Sequence, residues 1–233
     1  MWYIKHIFDG DYGCEERSGS SDEAMVSVTL VSDGGEEKLE VVADSWLRKN
    51  NLDVGAEWPD YSDLRLETEN LLLRKACRAD WKDMYENLWR HDESARYMLW
   101  EPTHSEADAV IRAEKSEVFQ RYHKYTFFIQ EKESGKVIGF AGMKEIEPGI
   151  CEDTGIAIGP SFVGHGYGTQ VLKALLAAAK EAGAVKFVYS ARIANEPSRK
   201  LAKRCGFVVT GTDSRVDPRD NSTYVLEFSE KDL

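Results

Sequence analysis

Five residues carry the clearest chemistry in this chain: Gly164, His165, Gly166, Tyr167 and Gly168. Glycines at alternate positions let the backbone turn tightly, and they bring N–H groups close to an anion. The apolar strand Thr154-Gly155-Ile156-Ala157-Ile158 precedes them. The apolar segment Val171 to Lys180 follows and stops at Gly183. A helix in that segment presents its positive end and unpaired donors to the same point. The stretch therefore reads as a phosphate or pyrophosphate site. It is not a nucleoside-triphosphate loop, because no Gly-Lys-Ser/Thr is present. Nor is it the G-x-G-x-x-G of a dinucleotide fold, because it follows a run of strands and lies late in the chain.

The elements that position this loop can be read in order. Thr126 to Gln130 and Val137 to Met143 are strands flanking the turn Glu133-Ser134-Gly135, and Ile150 to Ile158 is a third strand. Val185 to Ile193 is another. Asn195 caps a short helix that carries Pro197 in its first turn and ends at Gly206. Phe207 to Thr210 and Ser222 to Phe228 close the pattern. Upstream, Leu71-Leu72-Leu73 is a short buried strand. Asp80 is placed to cap a helix with Trp81, Met84, Tyr85, Leu88 and Trp89 on one stripe. Thr103-His104-Ser105-Glu106 fits a capping box for a second helix, with Ala107, Val110, Ile111, Val118 and Tyr122 inward. This is an α/β (α+β) pattern: a mixed, mostly antiparallel sheet with helices on both faces.

Residues 1–60 read as a separate, small β-rich unit. Trp2 to Ile4, Ile7-Phe8, Ala24 to Leu30 and Lys38 to Ala43 have strand character, and Asp33-Gly34-Gly35 is a hairpin turn. Residues 10–23 read as a Gly-, Ser- and acid-rich loop. Asp44 or Ser45 is placed to cap a short helix, and Pro59 marks a boundary, so the second unit is 61–233.

Of the chain's net charge of −11, residues 1–66 carry −9, with 6 Lys and Arg against 15 Asp and Glu. This speaks against nucleic acid as a partner. No apolar run approaches the roughly 20 residues that span a bilayer, and the start lacks the pattern of a signal peptide. Cys14, Cys77, Cys151 and Cys205 are scattered, as in reduced thiols of the cytoplasm. The His residues have no metal-ligand spacing, so no metal is expected.

Four stretches together resemble the GNAT family of acetyl-CoA-dependent N-acetyltransferases, and within it the RimJ/RimL-like branch. They are Thr68-Glu69-Asn70-Leu71-Leu72-Leu73-Arg74, Ile158 to Thr169, Asn195-Glu196-Pro197-Ser198, and Cys205-Gly206-Phe207. The resemblance spans about 67–228. It implies acetyl-CoA as co-substrate, held by the amides of Val163, Gly164, His165, Gly166, Tyr167, Gly168 and Thr169. The edge of Ile156, Ala157 and Ile158 would pair with the pantetheine arm, with Asn195 and Ser198 contributing. Val163 departs from the family, which usually has Arg or Gln there.

The implied reaction is direct attack of a primary amine, of a protein N-terminus or a small molecule, on the thioester. Glu152 and Asp153 are the candidate proton acceptors, with Asp153 aligned where the branch often has Glu. Adjacent strand residues serve opposite faces unless a bulge intervenes. The tyrosine that many members use on the last helix falls at Ala202, so Ser198 is the candidate for the acid or for stabilising the thiolate. Tyr97 and Trp100 are candidates for lining the acceptor pocket. Arg199, Lys200, Lys203 and Arg204 form a basic face that is a candidate for a nucleotide phosphate. The missing tyrosine and Val163 support an alternative: an acyl-CoA-binding sensor without turnover. Monomer and homodimer are both open.

Overall fold

The computed structural model describes residues 1–9 and 24–233. The loop expected over residues 10–23 lies outside the described residues. The chain divides into two compact units, Met1–Asp60 and Tyr61–Leu233.

In the first unit β1 (Trp2–Asp9), β2 (Met25–Ser32) and β3 (Glu37–Ala43) form an antiparallel sheet in that order, followed by helix α1 (Asp44–Lys49). Alternation puts Val26, Val28 and Leu30 on one buried face with Ile4 and Val42, and Leu47 and Trp58 are buried as well. The two apolar pieces expected at the start are one strand, bent by a register shift between Ile4 and His6. Neither Asp44 nor Ser45 caps α1. Ala43 stands at the cap with no side-chain bond, and Asp44 pairs instead with Arg48 one turn on.

The second unit contains β4 (Leu66–Glu67), β5 (Leu71–Arg74), α2 (Trp81–Met84), α3 (Asp92–Ala95) and α4 (Glu106–Tyr122). The strands β6 (Thr126–Glu131), β7 (Val137–Glu147) and β8 (Ile150–Ile158) follow, then α5 (Tyr167–Glu181), β9 (Lys186–Arg192) and α6 (Glu196–Arg204). β10 (Val208–Val216) and β11 (Thr223–Asp232) complete it. These eight strands make one sheet ordered β10-β11-β9-β8-β7-β6-β5-β4. Every neighbouring pair is antiparallel except β8 and β9. Consecutive Phe127 and Phe128 show the two faces. Phe127 joins a core with Leu172 and Leu175 of α5 and Leu201 of α6, and Phe128 joins Met84, Leu88, Trp89, Ala109 and Ala113 on the other side. Helices therefore cover both faces, as the sequence pattern implied.

Three local expectations are corrected. Asp80 does not cap α2. It accepts from Cys77 N at 2.8 Å and holds Arg74, and the helix relaxes into a π turn over Tyr85–Trp89. Ser105, not Thr103, caps α4, accepting from Asp108 N at 3.1 Å; Thr103 Oγ1 takes Arg112 instead. The buried side of α4 is Ala109, Ala113, Gln120 and Tyr122, while Ile111 and Val118 are exposed.

The feature that builds the site is a bulge in β8. Gly142 pairs with Gly155 and Met143 with Asp153, so Thr154 is the extra residue. On its other side β8 pairs with β9 only over Ile150 to Glu152. Beyond that point the two strands part. Gly139 is required on the β7 side, because a Cβ there would lie 2.1 Å from Ala157 O.

Candidate active site

The glycine loop leaves β8 through a short turn at Pro160–Phe162 and enters α5 at Tyr167. Gly164 and Gly166 have φ of +92° and +78°, a conformation that glycine adopts without strain. The expected ring of seven amides narrows. Val163 N bonds Pro160 O at 3.3 Å and Thr169 N bonds Gly166 O at 3.1 Å. The N–H groups of Gly164, His165, Gly166, Tyr167 and Gly168 have no internal acceptor among the described residues. Five successive unpaired donors at the positive end of a 15-residue helix are an arrangement able to cradle an anion.

Side chains lock the cradle to the sheet. The Tyr167 hydroxyl donates to Glu131 at the end of β6, and this carboxylate pushes the phenol up to about 12. The His165 ring stacks on Tyr167 with centroids 5.5 Å apart. One turn into α5, Gln170 Oε1 accepts from Thr68 Oγ1 at 2.7 Å and from Asn70 N at 3.1 Å. That bond explains why Thr68 and Asn70, 100 residues earlier in the chain, accompany the loop.

Where β8 and β9 part, Ile156, Ala157 and Ile158 pair only with β7, leaving the edge toward β9 open. Asp153 bridges the start of the gap. Its Oδ1 accepts from Ser190 N at 2.9 Å, and burial pushes its carboxyl up to about 7. Glu152 points to the other face, where it lies 3.5 Å from Lys144. The bulge follows both carboxylates, so it does not bring them onto one face.

At the start of α6, Asn195 Oδ1 accepts from Ser198 N at 3.3 Å, confirming the cap. Ser198 Oγ lies 2.8 Å from the hydroxyl of Tyr189 on β9. Tyr189 is buried with Phe187 and Ala191 on the face that carries α5 and α6, and the Asp153 charge acts on its hydroxyl. Ser198 is thus bonded to Tyr189, on which the Asp153 charge acts, a residue that the sequence reading passed over. Its signal was strand parity: a phenol stands where Phe187 and Ala191 point inward.

Tyr97 and Trp100 belong to the segment after α3. Met98 between them packs toward the bulge, 3.1 Å from where a Cβ on Gly155 would stand. The Trp100 ring lies 4.6 Å from the Arg112 guanidinium, which Trp89 covers from 4.8 Å, and Tyr97 lies 5.3 Å from Arg96. The turn between β10 and β11 fastens this segment. Arg219 donates to Ala95 O at 3.2 Å and Trp100 O at 3.4 Å, while Asp217 accepts from both Arg219 and Arg192. Those two guanidiniums hold the buried Asp217 carboxyl well below the usual range. On the basic face of α6, Arg199 is committed to Glu227 by two bonds and Lys200 to Glu196, so among the described residues these two of the four cations are already paired. No group of three metal-ligating side chains occurs among the described residues, and no described helix is long and apolar enough to cross a membrane.

A sequence profile described as Acetyltransferase (GNAT) domain matches residues 70–208. No curated protein sequence matches the chain. Among solved structures, a GNAT-family acetyltransferase from Bacillus anthracis superposes with a TM-score of 0.62 at 18% identity, covering 72% of this chain and 98% of its own. The microcin C7 self-immunity acetyltransferase MccE, in complex with acetyl-CoA and AMP, gives 0.61 at 20% identity over 71% and 94%. A RimL ribosomal alpha-N-protein acetyltransferase in complex with coenzyme A gives 0.61 at 18% over 73% and 98%.

Proposed function

The chain belongs to the GNAT family of acetyltransferases, and from that premise we propose that it moves the acetyl group of acetyl-CoA to a primary amine, on a protein N-terminus or a small molecule, as a RimL-like enzyme. The observation that carries this reading is the row of five unpaired amides from Gly164 to Gly168 beside the open edge Ile156–Ile158. The amides fit a pyrophosphate, and the edge fits the two amides of a pantetheine arm. Asn195 and Ser198 begin α6 beyond the gap. Fixing the donor along the edge supplies much of the catalysis, because attack then occurs within one complex.

In this reading the amine lone pair attacks the thioester carbonyl, the C–N bond forms, and the C–S bond breaks with its electron pair on sulfur. Asp153, close to neutrality in its acid–base balance, accepts the amine proton. Ser198 Oγ–H steadies the developing thiolate. Glu152, on the opposite face, is the competing acceptor. The Met98–Trp100 segment, tied down by Arg219, lines the acceptor side.

Calorimetry with acetyl-CoA tests the donor site, and thiol release across free-N-terminus peptides, polyamines and aminoglycosides tests the reaction. No binding at millimolar acetyl-CoA refutes the proposal. Binding without turnover on any amine favours the sensor reading.

A further inference from the structure

We infer that Tyr189 is a positioning residue that donates its hydroxyl proton to Ser198 Oγ, leaving the Ser198 proton free to point at the coenzyme sulfur. The inference rests on the donor site proposed above and goes beyond it in fixing the direction of one hydrogen bond.

The direction follows from counting donors and acceptors. A phenol has one proton. Burial and the nearby Asp153 charge both push Tyr189 upward, so its hydroxyl keeps that proton. The group is 4% exposed, and among the described residues its one hydrogen-bond partner is Ser198 Oγ at 2.8 Å. Were Ser198 the donor, the phenol proton would be buried without an acceptor, which carries a penalty. Tyr189 is therefore the donor and Ser198 the acceptor. A serine hydroxyl that accepts still has its own proton to give.

The serine is otherwise fixed. Its backbone N–H is held by Asn195 Oδ1, so its side chain is not needed as a cap. The Tyr189 ring is braced by Phe207, with centroids 5.7 Å apart. Ala202, one turn beyond Ser198 on α6, is buried in the same core as Tyr189. The phenol absent from position 202 is thus replaced beneath the helix by one rising from β9, and it reaches the serine.

The test needs no acceptor amine. Coenzyme A is titrated in complex with the protein and its thiol pKa is read from thiolate absorbance, with desulfo-coenzyme A affinity as the structural control. A hydrogen bond to the thiolate lowers the bound thiol by about one pH unit. Ser198→Ala should abolish that depression. Tyr189→Phe should abolish about half of it or more and leave desulfo-coenzyme A affinity unchanged. Tyr189→Phe added to Ser198→Ala should change nothing further.

Three results overturn the inference while leaving the donor site in place. If Tyr189→Phe leaves the thiol at its wild-type value while Ser198→Ala shifts it, Ser198 acts alone. If the two changes add, Tyr189 reaches the sulfur itself. If Ser198→Ala has no effect, the serine does not meet the thiol. Failure of coenzyme A to bind at all removes the donor site, and this inference with it.

Discussion

Replacing Asp153 by Asn should stabilise the protein at alkaline pH while reducing its activity. The carboxyl is enclosed, and its pKa rises from 3.8 to about 7, chiefly by burial. Between about pH 4 and pH 7 the folded chain holds a proton there that the unfolded chain has released, so stability falls as pH rises across that window. Complete ionisation above it costs about 4 kcal/mol. Asparagine retains an oxygen for Ser190 N–H and carries no charge, but its amide nitrogen lacks a partner, at about 1–2 kcal/mol. Asp153→Asn should therefore be more stable than wild type by about 2 kcal/mol or more at about pH 8.5, and less stable by about 1 kcal/mol near pH 4. Urea unfolding of both proteins at the two pH values measures this. In the same pair, the wild-type rate should rise as pH passes through about 7, and the variant should lose that limb. A difference between the two pH values of less than about 1 kcal/mol would refute the assignment of a buried, proton-holding carboxyl.

Other perturbations probe the frame around it. Tyr167→Phe removes the tie between the glycine loop and Glu131, so the Kd for acetyl-CoA should rise by about 5- to 10-fold, corresponding to about 1 kcal/mol, with little change in kcat, by calorimetry and steady-state kinetics. Asp217→Asn leaves Arg192 and Arg219 facing each other without their shared carboxylate; the melting temperature should fall, and limited proteolysis should cut the β10–β11 turn faster. Gly139→Ala should fail to give a native far-UV spectrum or should melt far below wild type, because its methyl would sit 2.1 Å from the Ala157 carbonyl. Lys75→Met removes the ammonium that donates to His123 O, Lys124 O and Thr126 O and should cost about 2–3 kcal/mol in urea unfolding.

The sheet from β5 onward was legible because its punctuation is local: Gly135, Gly149, Gly183 and Gly206 all take positive φ at turns or helix ends. The glycine loop and the Asn195 cap were legible for the same reason. What could not be read depends on partners far apart in the chain. The buried face of α4 was misjudged because alanines, not the larger Ile111 and Val118, face Trp89 and Phe128, where the helix must approach closely. The narrowing of the amide cradle depends on the turn at Pro160, whose carbonyl takes the Val163 N–H. The Tyr189–Ser198 bond crosses from strand to helix and has no sequence pattern beyond parity.

The bulge at Thr154 explains why Asp153 and Gly155, two residues apart, face opposite sides of the sheet. Before it, Cys151 and Asp153 share the face of α5 and α6. After it, Ile156 and Ile158 return to that face, so one extra residue has shifted the alternation. Without the insertion, Asp153 would be followed on its own side by Gly155 and Ala157. Ala157 instead packs with Phe128 and Val137 on the opposite side. The bulge therefore lets one strand turn Asp153 toward the side of Ser190 and Tyr189, and Gly155 toward Met98, within three residues. It also coincides with the end of β8–β9 pairing. A thioester lying in that gap would meet Ser198 and Asp153 from one face of the sheet and the Met98 segment from the other.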